Sequence, residues 1–219
     1  MIGKLLKKEW ALCLHPTCFI FLAFAFFVFI PNYPYEVAYF FSGLAVFFVC
    51  LTARENGDFA YTCSMPVKKR DVALARIVFC VCFQIALVLL SGLAICLKQV
   101  LLPPEMQTNM AGSCANLALL GHGCVLLGLF NIIFFPLYFQ KPERVGVPFM
   151  IAAIAQFCVI ALLCALRFTA PVYSDALTVP DPANIGIKAV FFCVGLVVYL
   201  ACTVISCVLS MRRFERVNL

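Results

Sequence analysis

Residues 72–97 read VALARIVFCVCFQIALVLLSGLAICL, an unbroken apolar stretch with Arg76 near its start and Gln84 and Ser91 further in, closed by Asp71 on one side and Lys98 on the other. Crossing about 30 Å of hydrocarbon takes roughly 20 residues of helix, so this stretch suffices for one passage of a bilayer. Five more runs of the same kind flank it, at residues 13–31, 37–53, 114–139, 146–166 and 187–211. Pro16 cuts into the first of these, and the second is short. Between them lies only Pro31-Asn-Tyr-Pro-Tyr-Glu36, a tight hairpin whose aromatic residues suit a membrane interface.

The whole chain supports this reading. It has 219 residues, 65% of them apolar and 12% charged, with a mean hydropathy of +1.06. Soluble domains are about 45–50% apolar and about 25% charged, so a water-soluble fold is excluded. The expected architecture is all-α: six transmembrane helices in one domain over residues 1–219, with an amphipathic helix at the interface at its N-terminal end. Six spans fill the length and leave no room for a catalytic domain. The chain carries no G-x-x-x-x-G-K-[ST] phosphate loop, so any ATP used would be bound by another chain. It is not expected to be an enzyme or to hold a cofactor.

Lysine and arginine set the expected orientation. Lys4, Lys7, Lys8, Arg54, Lys68, Lys69, Arg70, Arg76, Lys141, Arg144, Arg212, Arg213 and Arg216 fall on one side of the six-span plan, and Lys98, Arg167 and Lys188 on the other. By the positive-inside rule the thirteen are cytoplasmic, which puts both termini inside the cell membrane. Lys4 to Lys8 followed by an apolar run resembles a signal peptide, but the run ends at Pro31 without a small-x-small cleavage pattern, and an uncleaved first span is expected.

Residues 1–14 read as a helix with Lys4, Lys7 and Lys8 on one arc and Ile2, Leu5, Leu6, Trp10, Leu12 and Cys13 on the other, a pattern for the cytoplasmic interface. Glu9 projects from the apolar arc. It either pairs with a cation of another segment, with Lys68 to Arg70 within reach, or snorkels to the surface.

The fourteen cysteines include Cys18, Cys50, Cys80, Cys82, Cys124, Cys158, Cys164, Cys193, Cys202 and Cys207 inside apolar runs, where thiols serve as small packing groups. Cys96 and Cys114, near the outer surface, leave room for a disulfide. No metal-ligand spacing occurs. No carboxylate or cation sits at the middle of a run, which disfavours ion-coupled transport and intramembrane proteolysis. The polar residues expected at membrane depth are Gln84, Asn116, His122, Asn131 and Gln156. They are read mainly as interhelical hydrogen-bonding groups and secondarily as lining a translocation path. Gly121 and Gly123 around His122 allow close backbone approach.

The stretch from Thr52 to Asp71 carries Arg54, Glu55 and Asp58, then Phe59 and Tyr61, then Pro66, then Lys68, Lys69, Arg70 and Asp71. Charges of both signs beside aromatics expected to be exposed suggest a docking surface for a protein partner; the alternative is a solvated loop whose cations anchor the topology. On the far side, residues 167–186 carry Pro171, Pro180 and Pro182 yet leave room for a short helix over 172–177.

Here a family resemblance enters. Ser64-Met-Pro-Val-Lys-Lys-Arg-Asp71, with the acidic residues before it, resembles the cytoplasmic signature of small six-span permeases of type-2 ATP-binding-cassette exporters, typically S-L-P-V-S-R-x-[ED]-I-V. Leu6-Lys-Lys-Glu-Trp10 resembles the family's interface helix, residues 131–146 the end of its fourth span, and residues 206–214 its closing basic tail. The chain departs at Lys68, where the family usually has Ser, so the capping box with Asp71 is missing from the start of the third span.

The resemblance implies a permease subunit of an ATP-driven exporter and a cytoplasmic ATP-binding-cassette ATPase gripping Glu9 and the 54–71 loop. It also implies a second permease chain as homo- or heterodimer, membrane lipid around both, and no nucleic acid. It implies export of amphipathic or antimicrobial peptides, with the 172–177 helix at an exit gate. The other class held open is a non-transporting immunity, sensor or assembly protein on the same fold.

Overall fold

The computed structural model describes residues 2–217; Met1, where the first helix was expected to begin, lies outside them. The chain is all-helical, with no strand among the described residues. Helix α1 covers Ile2–Leu12, and α2, Thr17–Ala23, continues as a 3-10 turn over Phe24–Phe29. Then follow α3 Val37–Glu55, α4 Asp58–Cys63, α5 Lys69–Leu101, α6 Leu117–Tyr138, α7 Gly146–Thr169, α8 Pro171–Leu177 and α9 Ile185–Glu215. Helices α3, α5, α6, α7 and α9 are each long and apolar enough to cross a membrane, and the bent pair formed by α1 and Thr17–Phe29 makes up to six if it is counted as one span.

That first passage differs from the straight 13–31 helix expected. The chain bends by 90° between α1 and Thr17, at His15 and Pro16. The thirteen residues that remain are short for a span. Depth explains why they suffice. Trp10 of α1 packs on Phe79 and Phe83 of α5, with ring centroids 5.2 and 5.6 Å apart, so α1 lies beside the start of the long helix. The far end of the 3-10 segment meets Lys98, whose Nζ donates to the Val28 carbonyl at 2.7 Å. From Phe83 to Lys98 is about 22 Å of helix, and α2 plus the longer-rise 3-10 turn covers about the same. From Arg76 to Lys98 is about 33 Å, close to the hydrocarbon thickness.

Lys68 caps α5 with extended backbone (ψ 133°) and no side-chain hydrogen bond, the outcome its replacement of serine leads one to expect. Gly57, at φ 59°, takes the left-handed turn that ends α3 and starts α4. The closest helix pair is α6 with α9. A Cβ on Gly195 would stand 2.6 Å from the Gly121 carbonyl oxygen, so backbones touch where only glycine fits. All fourteen cysteines are free, Cys96 and Cys114 included. Cys82, Cys158 and Cys193 turn outward from the bundle rather than packing inside it.

Candidate functional site: ion-pair clamps at the two ends of the bundle

The thirteen cations gather at the end of the bundle where both ends of the described chain meet, Lys69 Nζ donating to the Val217 carbonyl at 2.6 Å. At this terminal end, α1, α4 and α5 converge on a buried cluster. Arg76 is wholly buried and pairs with Glu9, also wholly buried, and with Asp58 through Nη2 at 2.7 Å. Lys8 Nζ adds Asp58 at 2.8 Å, Glu9 at 3.1 Å and the Thr62 hydroxyl at 3.0 Å. The Glu9 partner is therefore Arg76 together with Lys8, not the expected Lys68 to Arg70. The heptad-scale reach of a helix explains it: Arg76 lies on the α5 face that looks at α1, whereas Lys68 and Arg70 look outward, Arg70 to Glu215 of α9.

Phe59 also corrects the sequence reading. It is buried at 8% exposure, not an exposed docking aromatic. Its ring lies 4.8 Å from Phe214 of α9 and 5.9 Å from Phe139, and the Arg76 guanidinium sits 5.0 Å above it. Burying a phenyl ring is worth about 1.5–3 kcal/mol, and the cation above it adds to that. The 54–71 segment is thus a short helix with two sides. Asp58 and Phe59 face in, with Thr62. Arg54, Glu55, Tyr61 (62% exposed), Pro66, Lys68 and Arg70 face out, and Lys69 and Asp71 are half-buried. A cavity of about 190 Å³ between α4 and the α6–α7 turn is lined by Arg54, Gly57, Phe59, Pro142 and Glu143. Glu9, Cys13 and Asp58 bring their ligand atoms within 4.8 Å of one another, but Arg76 and Lys8 already supply the positive charge a metal ion would bring there.

The opposite end holds three cations, and each is buried and engaged. Lys98 donates to the Tyr35 hydroxyl at 2.6 Å as well as to Val28. Lys188 pairs with Asp181 at 2.8 Å, and Asp181 also accepts from Gln99 at 3.1 Å and from the Leu117 N–H that opens α6 at 3.0 Å. Arg167, at the end of α7, pairs with Glu36, which is 1% exposed, and donates to Ser113 at 2.7 Å; Ser113 in turn donates to Glu36 at 2.9 Å. His122 Nδ1 stands 3.6 Å from the Glu36 carboxylate, too far for a hydrogen bond. On its other side, His122 Nε2 meets the Tyr173 hydroxyl of α8 at 2.6 Å. Burial pushes the Tyr173 phenol up to about 12, so at neutral pH it keeps its proton in this contact. The short helix expected over 172–177 is α8, and this contact fastens it to the bundle.

The polar residues inside the bundle are committed to neighbours. Gln84 and Asn131 exchange hydrogen bonds of 2.7 and 2.9 Å; Asn131 also donates to Thr203 at 2.9 Å and Tyr199 to Gln84 at 3.0 Å, tying α5, α6 and α9. Gln156 donates to the Leu126 carbonyl at 3.0 Å. Asn116 is not at membrane depth: it caps α6 and holds the Leu177 and Val179 carbonyls at 2.6 and 3.0 Å.

Sequence reasoning missed Lys8, Thr62 and Arg76 at one end, and Glu36, Ser113, Arg167, Tyr173 and Asp181 at the other. One signal was available: Arg76 stands four residues inside an apolar run, where a charge needs a buried partner.

The described residues form an all-helical protein with five helices able to cross a membrane and a bent pair that passes the same test when taken together. The family described as "ABC-2 family transporter protein" matches residues 4–215, nearly the whole length, and the chain belongs to that family. Its role is that of a permease-type membrane component. No curated protein matches the chain, and no solved structure does.

Proposed function

We propose that the chain is the membrane-spanning permease subunit of an ATP-driven exporter, coupled to a separate ATPase through the outward face of the 54–71 segment. The observation that carries this reading is the junction at α4. Through Asp58 and Phe59 this six-residue helix touches Lys8 of α1, Arg76 of α5, Phe139 beyond α6 and Phe214 of α9. A force applied at Glu55 and Tyr61 is thereby delivered to four passages at once, because packed interiors transmit displacement rather than absorb it. The cation-rich terminal end is cytoplasmic in this reading, and a second permease chain completes the conduit. Cargo is an amphipathic peptide, released past α8, with the Glu36–Arg167 and His122–Tyr173 contacts as part of the exit gate. A role of the Gln84–Asn131–Thr203 seam in lining the path is secondary.

Co-purification in mild detergent tests the class: a stoichiometric phosphate-loop ATPase is expected, and its absence would favour the immunity or sensor reading. For the docking face, Glu55→Ala combined with Tyr61→Ala should lower export and peptide-stimulated ATP hydrolysis by about tenfold. Melting temperature should stay within a degree or two, since exposed substitutions cost little stability. Unchanged transport would remove the docking claim. For orientation, an epitope inserted after Glu105 should bind antibody on intact cells, and one inserted after Ser64 only after permeabilisation. The reverse pattern would overturn the orientation.

A further inference from the structure

Two cavities at the terminal end share one residue. The first, of about 220 Å³, lies between the end of α6 and the start of α7, with Lys141, Arg144 and Gln140 at its rim. The second, of about 460 Å³, is lined by Gln140, Arg213, Arg216 and Val217. Gln140 forms the wall between them and is held by Arg213, whose Nη1 donates to its Oε1 at 3.2 Å and to the Pro136 carbonyl at 3.0 Å. Four cations line the two cavities, Lys141 and Arg144 the first and Arg213 and Arg216 the second.

Two observations specify what the first cavity would bind. Among the described residues, no carboxylate lines either cavity. Of the acids nearest in sequence, Glu215 is paired with Arg70, and Glu143 lines the separate cavity beside Arg54. Among the described residues, none of the four cations pairs with a carboxylate, unlike Arg76, Arg167 and Lys188. The first cavity also has an apolar wall, Leu137, Val147, Pro148 and Ile151, and Val147 and Ile151 remain 59% and 46% exposed along the outer face of α7. That wall runs from the charged rim toward hydrocarbon depth. A ligand matching both features carries a phosphate at one end and an acyl chain at the other.

We propose that the first cavity is a binding site for an anionic phospholipid, its phosphate at Lys141 and Arg144 and one acyl chain along Val147 and Ile151. Basic pockets between spanning helices at the membrane surface take such headgroups, and each well-placed cation strengthens binding about fivefold. A water-borne protein loop would use the cations but not a wall at bilayer depth. Bound there, the lipid would join α6 and α7 at their charged ends. The inference needs only that the chain spans a membrane; it does not rest on the ATPase coupling above.

The test places a reporter in the wall. Trp10 is the single tryptophan, so Ile151→Trp in a Trp10→Phe chain gives one fluorophore beside the cavity, read in nanodiscs containing lipids brominated on the acyl chain. Brominated phosphatidylglycerol should quench it at about fivefold lower mole fraction than brominated phosphatidylcholine. The double substitution Lys141→Gln, Arg144→Gln should bring that ratio to about one. Equal quenching by the two lipids in the parent, or a preference that survives the double substitution, would overturn the site. Displacement of the brominated lipid by excess inorganic phosphate would show a free-phosphate site instead. A double variant that loses ATPase co-purification, from a parent without lipid preference, would make the cavity a protein contact. If Ile151→Trp inserts poorly, Val147→Trp reports on the same wall.

Discussion

Arg76→Met is expected to destabilise the chain by about 3–5 kcal/mol, the usual cost of removing one partner from a buried ionic cluster. The side chain it removes is wholly buried and serves both Glu9 and Asp58, themselves 0% and 4% exposed. Lys8 would be left to neutralise two carboxylates from the edge of the cluster, and Phe59 would lose the guanidinium above its ring. In a thermal melt of the purified chain the expected drop is roughly 10 °C. Arg76→Lys keeps the charge without the planar fork and should lose less. The decisive comparison is Arg76→Met with Glu9→Gln and Asp58→Asn, which leaves charged only Lys8, at the partly exposed edge of the cluster, and should recover a large part of the loss. A triple variant no more stable than Arg76→Met alone would show that the cluster contributes through shape rather than charge.

Glu36→Leu should have an effect of similar size at the other end, about 3–5 kcal/mol, because Arg167 is 7% exposed and would remain charged with only Ser113 and neutral groups around it. Glu36 also holds Ser113 and stands beside His122, so the change loosens the hairpin before α3, the loop before α6 and the end of α7 together. Protease sensitivity of residues 109–113 and 171–178 should rise along with the drop in melting temperature. Adding Arg167→Met to Glu36→Leu should be less harmful than either change alone, as removal of a whole buried pair often is. Tyr173→Phe removes one neutral hydrogen bond and should cost only about 1 kcal/mol. A Glu36→Leu chain as stable and as resistant to protease as its parent would show that the pair does not hold this end together.

Much of the architecture was legible in local sequence because a bilayer makes simple demands. Each passage needs a run of apolar residues long enough to cover the hydrocarbon, and five such runs became α3, α5, α6, α7 and α9 near the expected positions. The hairpin at Pro31, the short helix before Leu177 and the uncapped start of α5 at Lys68 follow from proline and capping chemistry within a few residues. The partition of thirteen cations from three was likewise countable, since it depends only on which breaks alternate.

Partnerships between distant segments were not legible. Glu9 and Arg76 are 67 residues apart, and Glu36 and Arg167 are 131. No local rule says which cation a buried carboxylate will meet, because that is set by how α1 bends at Pro16 and how deep it lies against α5. Phe59 shows the same limit from the apolar side: beside Asp58 and Tyr61 it reads as surface, and only the approach of α9, bringing Phe214 to 4.8 Å, makes it core. The sequence alone determined that the chain is an all-helical membrane protein, where five of its passages lie and which ends carry its charge, all consequences of local polarity against the membrane's thickness. Tertiary packing alone decided which charges are buried, what neutralises them and which face of the 54–71 segment remains free for a partner. Those outcomes depend on helix depth and rotation, which emerge only when the helices are placed together.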